Sequence, residues 1–199
     1  MIISPFLDVT THNFEVYVTS DLWSPATGSA NFTWYDWSGN RLNISAPTFA
    51  LVTVGALNTT RVLQTNTYDV LSGYDPANVV LVMDVSVKGQ MPNSNTTQTF
   101  THTNWFHTAP LSQARLVDPG LSVSFSKESS KFTVKASKGV AAWVWLDYPT
   151  GAVLNFDSNT FWLLPGQEKE VGFMVKNDTT GGKWVSGVTV RSLWDNTVP

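Results

Sequence analysis

Three histidines, His12, His102 and His107, are the only imidazoles in the chain, and no cysteine accompanies them. None has a partner at the spacing of a His-Glu-x-x-His site, and His102 and His107, five residues apart, fall on opposite faces of a strand. Without cysteine there is no disulfide, thiolate metal site or cysteine nucleophile. A Gly-x-Ser-x-Gly elbow and a phosphate loop ending in Gly-Lys-Ser/Thr are both missing, so acyl transfer and nucleotide chemistry find no support. Glycoside hydrolysis needs two carboxylates flanking the scissile bond. Glu168 and Glu170 share a strand face in "PGQEKEV", but beside Lys169 and a turn they read more simply as a solvated edge. No catalytic, metal-binding or cofactor-binding residue is expected.

The concentrated signal is aromatic, with nine Trp residues. The densest stretch is "NFTWYDWSGN", Asn31 to Asn40, which also opens with an Asn-x-Thr glycosylation sequon. Trp and Tyr stack on sugar rings, and they also fill sandwich cores. The strand period of two places Phe32 and Trp34 on one face and Asn31, Thr33, Tyr35 and Trp37 on the other. A glycan on Asn31 would make its face the solvent face. Phe32 and Trp34 are then core, and Tyr35 and Trp37 point outward, to contact either sugar or a neighbouring domain. Trp143 and Trp145 in "AAWVWLD" alternate with Ala142 and Val144, so both faces of that segment are apolar.

Five sequons occur in all, at Asn31, Asn43, Asn58, Asn95 and Asn177, where composition alone would give about three. The excess points to a secreted, extracellular glycoprotein. The opening "MIISPFLD" has neither the basic nor the apolar region of a signal peptide, so secretion rests on the sequons.

The elements that must hold these residues are strands. "FEVYVTSDL" alternates apolar and polar, "SPATG" turns, and "SANFTWYDW" resumes, with "SGN" closing a hairpin into "RLNISA". Strand-like text continues through "FALVTVGAL", "TRVLQTNTYDVL" and "NVVLVMDVSVKG", and "YDPAN" breaks the last two at Pro76. "QTFTHTNWFHTAPLSQARL" is a strand running into a Pro-containing connection. "GLSVSFSKESSKFTVKAS" is a hairpin; "VAAWVWLDYP", "FWLLPGQEKEVGFMVKN" and "KWVSGVTVRSLWD" complete a second set at the spacing of a sandwich. The fold expected is all-β, two immunoglobulin-like antiparallel sandwiches in tandem over residues 1–112 and 113–199, without a helix.

Composition agrees. Apolar residues make up 42% and aromatics 13% of 199 residues, while charged residues reach only 14%, below the usual quarter. A net charge of −3 with scattered Lys and Arg leaves no basic stripe for nucleic acid. No apolar run approaches the roughly 20 residues of a membrane helix.

Several stretches resemble one family. "VYVTSDLWSPATGSANFTWYDWSGNRL" (residues 16–42) is similar to the start of the sandwich that follows the catalytic barrel in fungal β-mannosidases of glycoside hydrolase family two. "NWFHTAPLSQARLVDPGLSV" (104–123) resembles the junction into their final immunoglobulin-like domain. "FTVKASKGVAAWVWLDYP" (132–149) and "FDSNTFWLLPGQEKEVGFMV" (156–175) resemble that domain itself, with "FWLLPG" the most specific text. The resemblance implies a parent that releases terminal non-reducing β-D-mannose with retention. It also implies a barrel carrying two catalytic Glu residues, the first in an Asn-Glu pair. No Asn-Glu occurs here, and a barrel of roughly 250 residues does not fit beside two sandwiches. The resemblance therefore implies the carboxy-terminal piece of a larger enzyme, inactive alone, with the barrel as its partner and mannose-containing glycans as further ligands. The alternatives from other classes are an autonomous carbohydrate-binding module and an extracellular adhesion domain.

Overall fold

The computed structural model describes residues 1–94 and 96–197. Among them the chain is built of antiparallel strands and divides into two compact units. The first comprises residues 1–36 and 40–115; the second takes the short segment Trp37–Gly39 together with the chain from Leu116 onward.

In the first unit, β1 (Ile2–Leu7), β2 (Asn13–Thr19) and β5 (Thr59–Asn66) form one sheet in the order β1-β2-β5. β3 (Ala26–Tyr35), β4 (Phe49–Val54), β6 (Val80–Gln90) and β7 (Thr97–His107) form the other, ordered β4-β3-β6-β7. Both sheets send alternate residues into one core. Phe14, Val16, Val18 and Leu63 come from the first sheet, and Phe32, Trp34, Val54, Leu81 and Met83 from the second. Phe14 lies 4.8 Å from Phe106 and 6.4 Å from Trp34 between ring centroids.

Pro5 has no N–H to give a ladder, and it sits where that costs least, on the outermost strand. The open side of β1 is closed by side chains of β7: Ile3 N donates to His102 Nδ1 at 3.2 Å, and Asn104 Nδ2 donates to the Ile3 carbonyl at 2.9 Å. An edge tied in this way offers little to a foreign strand. His102 thus has a structural role, and its acceptor nitrogen places the proton on Nε2.

In the second unit, β8 (Ser122–Ser126), β9 (Lys131–Lys135) and β13 (Glu168–Val171) pair in the order β13-β9-β8. β10 (Ala141–Asp147) lies between β12 (Phe161–Leu163) and β15 (Thr189–Arg191), and β11 (Ala152–Phe156) pairs with β14 (Phe173–Asp178). Phe132 is central to this core, with Phe125, Phe156, Phe173 and Trp184 all within 6.3 Å of it.

Local departures from the expected elements have identifiable causes. "TRVLQTNTYDVL" is a strand only to Asn66, whose side chain then accepts from Tyr68 N and caps a one-turn helix α1 (Thr67–Val70). "RLNISA" does not return as a strand: Arg41 makes a single bridge to Tyr35, and the pairing strand β4 begins at Phe49. "KWVSGVTVRSLWD" is mostly 3-10 turn, over Lys183–Gly187 and Leu193–Asn196, the latter started by a Ser192–Asp195 capping box. "MIISPFLD" supplies a strand, β1, that alternation alone does not reveal.

Candidate functional site

Strand alternation sorts the opening cluster correctly as far as Tyr35. Asn31 is exposed, Phe32 and Trp34 are buried and Tyr35 is half-buried. Of the two contacts expected of Trp37, sugar is lost and packing on residues of the expected second domain is kept. Trp37 does not point outward; its side chain is 1% exposed, which closes it to a sugar. β3 ends at Tyr35, Asp36 accepts from Asn40 N through its side chain, and Asp36 N donates to the Asn40 carbonyl. A turn cancels the period of two. Trp37 belongs to the second unit, where its ring stacks on Trp162 at 6.0 Å and its carbonyl accepts from Val140 N at 2.9 Å.

Gly39 explains the rest of that turn. Its φ is +83°, and a Cβ there would stand 2.3 Å from Pro165 Cγ, so only glycine fits. Trp162 and Pro165 are both in "FWLLPG". The motif is therefore the seat for the Trp37–Gly39 segment.

Beside it, Trp143 packs at 4.6 Å on Trp162. β10 slips register between Ala141 and Val144, and within the slip Trp143 takes φ +47°. A bulky residue in the left-handed region marks a bulge that re-aims a side chain. Half-exposed Trp143 and Trp162 with buried Trp37 form an aromatic group that the apparent two-sided alternation of "AAWVWLD" does not reveal.

A cavity of about 530 Å³ lies in the first unit, lined by Leu7, His12, Tyr68, Leu71, Tyr74 and Thr108 among others. Two tight local structures shape it. Asp8 accepts from Thr10 N, Thr11 N and Thr11 Oγ1, fixing the β1–β2 turn, and Asn66 caps α1. His12, at φ +58°, lies 6.1 Å from the Tyr68 ring, which is 76% exposed. The sequence reading missed this cavity because its residues come from three separate turns. Trp23, 73% exposed on the β2–β3 loop, falls between the strand text "FEVYVTSDL" and the turn "SPATG", where no period places it.

Ionisable groups offer bases and ion pairs. The Asp8 carboxyl is held below its usual range chiefly by the Thr11 hydroxyl, Glu15 by the Tyr17 hydroxyl, and Asp178 by the Thr180 hydroxyl. A glycosidic acid requires the opposite displacement. Glu168 and Glu170 are exposed on β13, Glu170 paired with Lys131 at 2.8 Å, and Lys169 lies over the Phe161 ring at 5.2 Å. His102 and His107 stand on opposite faces of β7, whose ladder with β6 is unbroken. His107 Nδ1 is 2.8 Å from the Ala109 carbonyl. Among the described residues no group of three or more His, Asp or Glu could hold a metal. No helix there is long and apolar enough to cross a membrane.

Asn31, Asn43, Asn58 and Asn177 are all exposed; Asn95 lies outside the described residues. Asn31 and Asn177 are borne on strands, Asn43 and Asn58 on loops.

Two family models match the chain. One, a mannosidase Ig/CBM-like domain, covers residues 12–107; the other, a mannosidase Ig-fold domain, covers 116–196. Beta-mannosidase A of Aspergillus flavus is 48% identical over the whole of this chain, which corresponds to 22% of that protein. Beta-mannosidase A of Aspergillus niger is 44% identical over the whole chain, 21% of its length. The chain thus spans about a fifth of the length of these curated relatives. A crystal structure of β-D-mannosidase from Dictyoglomus thermophilum superposes with a TM-score of 0.60 at 12% identity, over 96% of this chain and 21% of that one. At that identity it shows the fold alone.

Proposed function

The chain belongs to the mannosidase immunoglobulin-like domain family through both of its units, and we propose that it is the non-catalytic, carboxy-terminal portion of a secreted β-mannosidase. The parent hydrolyses terminal non-reducing β-D-mannose with retention, and the acid and nucleophile reside in its barrel. The role of this portion is structural: it packs against the barrel and walls the approach to it. The observation that carries the reading is the 44% and 48% identity to two β-mannosidase A proteins over the whole of this chain and only about a fifth of each relative. The carboxylates here agree with it, since those displaced are displaced downward.

The isolated chain is expected to leave an aryl β-mannoside untouched at any pH. Turnover that persists after removal of every co-purifying polypeptide would overturn the proposal. A second reading, an autonomous carbohydrate-binding module, is favoured by the cavity beside Tyr68 and Tyr74, an open aromatic-lined site with hydroxyls from Thr67, Ser72 and Thr108 at hand. Titration calorimetry with mannobiose separates the two: saturable heat abolished by Tyr68→Ala selects binding, and its absence leaves the structural role.

A further inference from the structure

β4 is the outermost strand of its sheet, and two of its three outward side chains, Phe49 and Leu51 beside Thr53, are apolar. Phe49 is 54% and Leu51 81% exposed, in alternation with buried Val52 and Val54. Edge strands ordinarily carry charge or proline at such positions, and "FALVTV" carries neither. An open apolar strip of this kind needs a cover.

The neighbouring strand supplies one. Asn31, which opens the sequon Asn31-Phe32-Thr33, stands directly opposite Phe49, and Ser29 stands opposite Leu51. Phe32 N donates to the Thr48 carbonyl at 2.9 Å, which makes Phe32 and Thr48 a hydrogen-bonded pair. Asn31 and Phe49 are then a non-hydrogen-bonded pair, the kind that brings facing side chains closest, with Cβ atoms roughly 4.5–5.5 Å apart. A pyranose attached to Asn31 Nδ2 begins one side-chain length from an exposed aromatic ring. The C–H face of a sugar matches such a ring, while its hydroxyls remain in water.

We infer that Asn31 is an N-glycosylation site whose own glycan lies over Phe49 and Leu51 and closes the strip. The inference rests on the secreted reading above, which supplies the donor, a lipid-diphosphate-linked oligosaccharide. In the transfer Nδ2 forms a bond to C1 of the first N-acetylhexosamine, the C1–O bond to the diphosphate breaks, the amide gives up one proton, and the lipid diphosphate leaves. In the second unit Asn177 on β14 stands opposite Val153 on β11, and both are exposed, but Thr179 N donates to the Gly151 carbonyl two positions away, which makes Asn177 and Val153 a hydrogen-bonded pair with side chains farther apart. The loop sequons have no such strand partner; Asn58 Oδ1 instead accepts from Thr59 N.

The test secretes the 199-residue chain from a glycosylating eukaryotic host and maps its glycopeptides by mass spectrometry. Occupied Asn31 is the expected result. Asn31 bare while Asn43, Asn58 or Asn177 is occupied overturns the inference and leaves the secreted reading standing; all sequons bare overturns both. Thermal unfolding of the occupied protein then tests the contact. Asn31→Gln, or Thr33→Val from the other end of the sequon, is expected to lower the melting temperature by about 4 °C. The same changes in a Phe49→Ser, Leu51→Ser background should lower it by no more than about 1 °C. Equal losses in the two backgrounds would show that the glycan does not rest on β4 and overturn the inference.

Discussion

In the first unit β6 and β7 pair over eleven residues each in unbroken register, whereas in the second β10 spans seven and slips between Ala141 and Val144. The ladder of β11 with β14 slips as well, between Val153 and Leu154, while the first unit's slip falls between Val16 and Tyr17, where β2 pairs with β5. The first unit's core is mostly aliphatic residues delivered by alternation, with Phe14, Phe32 and Trp34 among them. Around Phe132 the second collects a ring of aromatics from β8, β11, β14 and a 3-10 turn. A regular ladder fixes side-chain direction by backbone geometry, so each position has one face to occupy. A slipped ladder transfers that decision to packing, and large rings that touch several partners then carry more of the specification.

The sharpest way to break this contrast is at Phe132. Removal of its ring in Phe132→Ala should cost the second unit about 3–5 kcal/mol, read as a loss of urea midpoint at constant m-value. A cost below about 1 kcal/mol would mean that the surrounding rings collapse and specify nothing individually.

A smaller effect isolates the bulge. Trp143→Ala loses the contact with Trp162 and keeps a Cβ at φ +47°; Trp143→Gly loses the same contact and relieves the backbone. The glycine variant should therefore be the more stable of the two by about 1 kcal/mol. The reverse order would mean that the left-handed conformation carries no strain.

The smallest effect belongs to a carboxylate on β2 of the first unit. Glu15 accepts from the Tyr17 hydroxyl and from Arg61 Nη1 at 2.6 Å, and its pKa is lowered, by Tyr17 first and Asn13 and Arg61 after it. A carboxylate whose folded pKa lies below its unfolded one stabilises the fold above the unfolded value, roughly 4.3, and loses that stabilisation as pH falls through the folded value. Thermal stability of the native chain should therefore decline more steeply below about pH 5 than that of Glu15→Gln. Parallel declines would remove Glu15 from the account.

Much of the architecture was readable from residue order. The period of two put Phe32 and Trp34 on the face opposite Asn31, the sequon then named the face of Asn31 as solvent, and the same period separated His102 from His107, because each of these residues lies inside a continuous strand. The turn at "YDPAN" followed from Pro76, and the family from "FWLLPG" and the junction text. The outward, sugar-facing alternative for Trp37 fails for a physical reason: two residues past the end of β3 the chain turns at Asp36, and parity no longer carries information. The burial of Trp37 against Trp162 joins positions 125 residues apart, a contact that no local pattern encodes. The same holds for the cavity of His12, Tyr68 and Tyr74, assembled from turns that meet only when β2 and β5 pair, and for β1, whose outer edge is held by His102 and Asn104. Alternation is a property of one strand and can be read along the chain; the fate of a turn residue depends on which distant surface it meets, and that exists only once the sheets have closed.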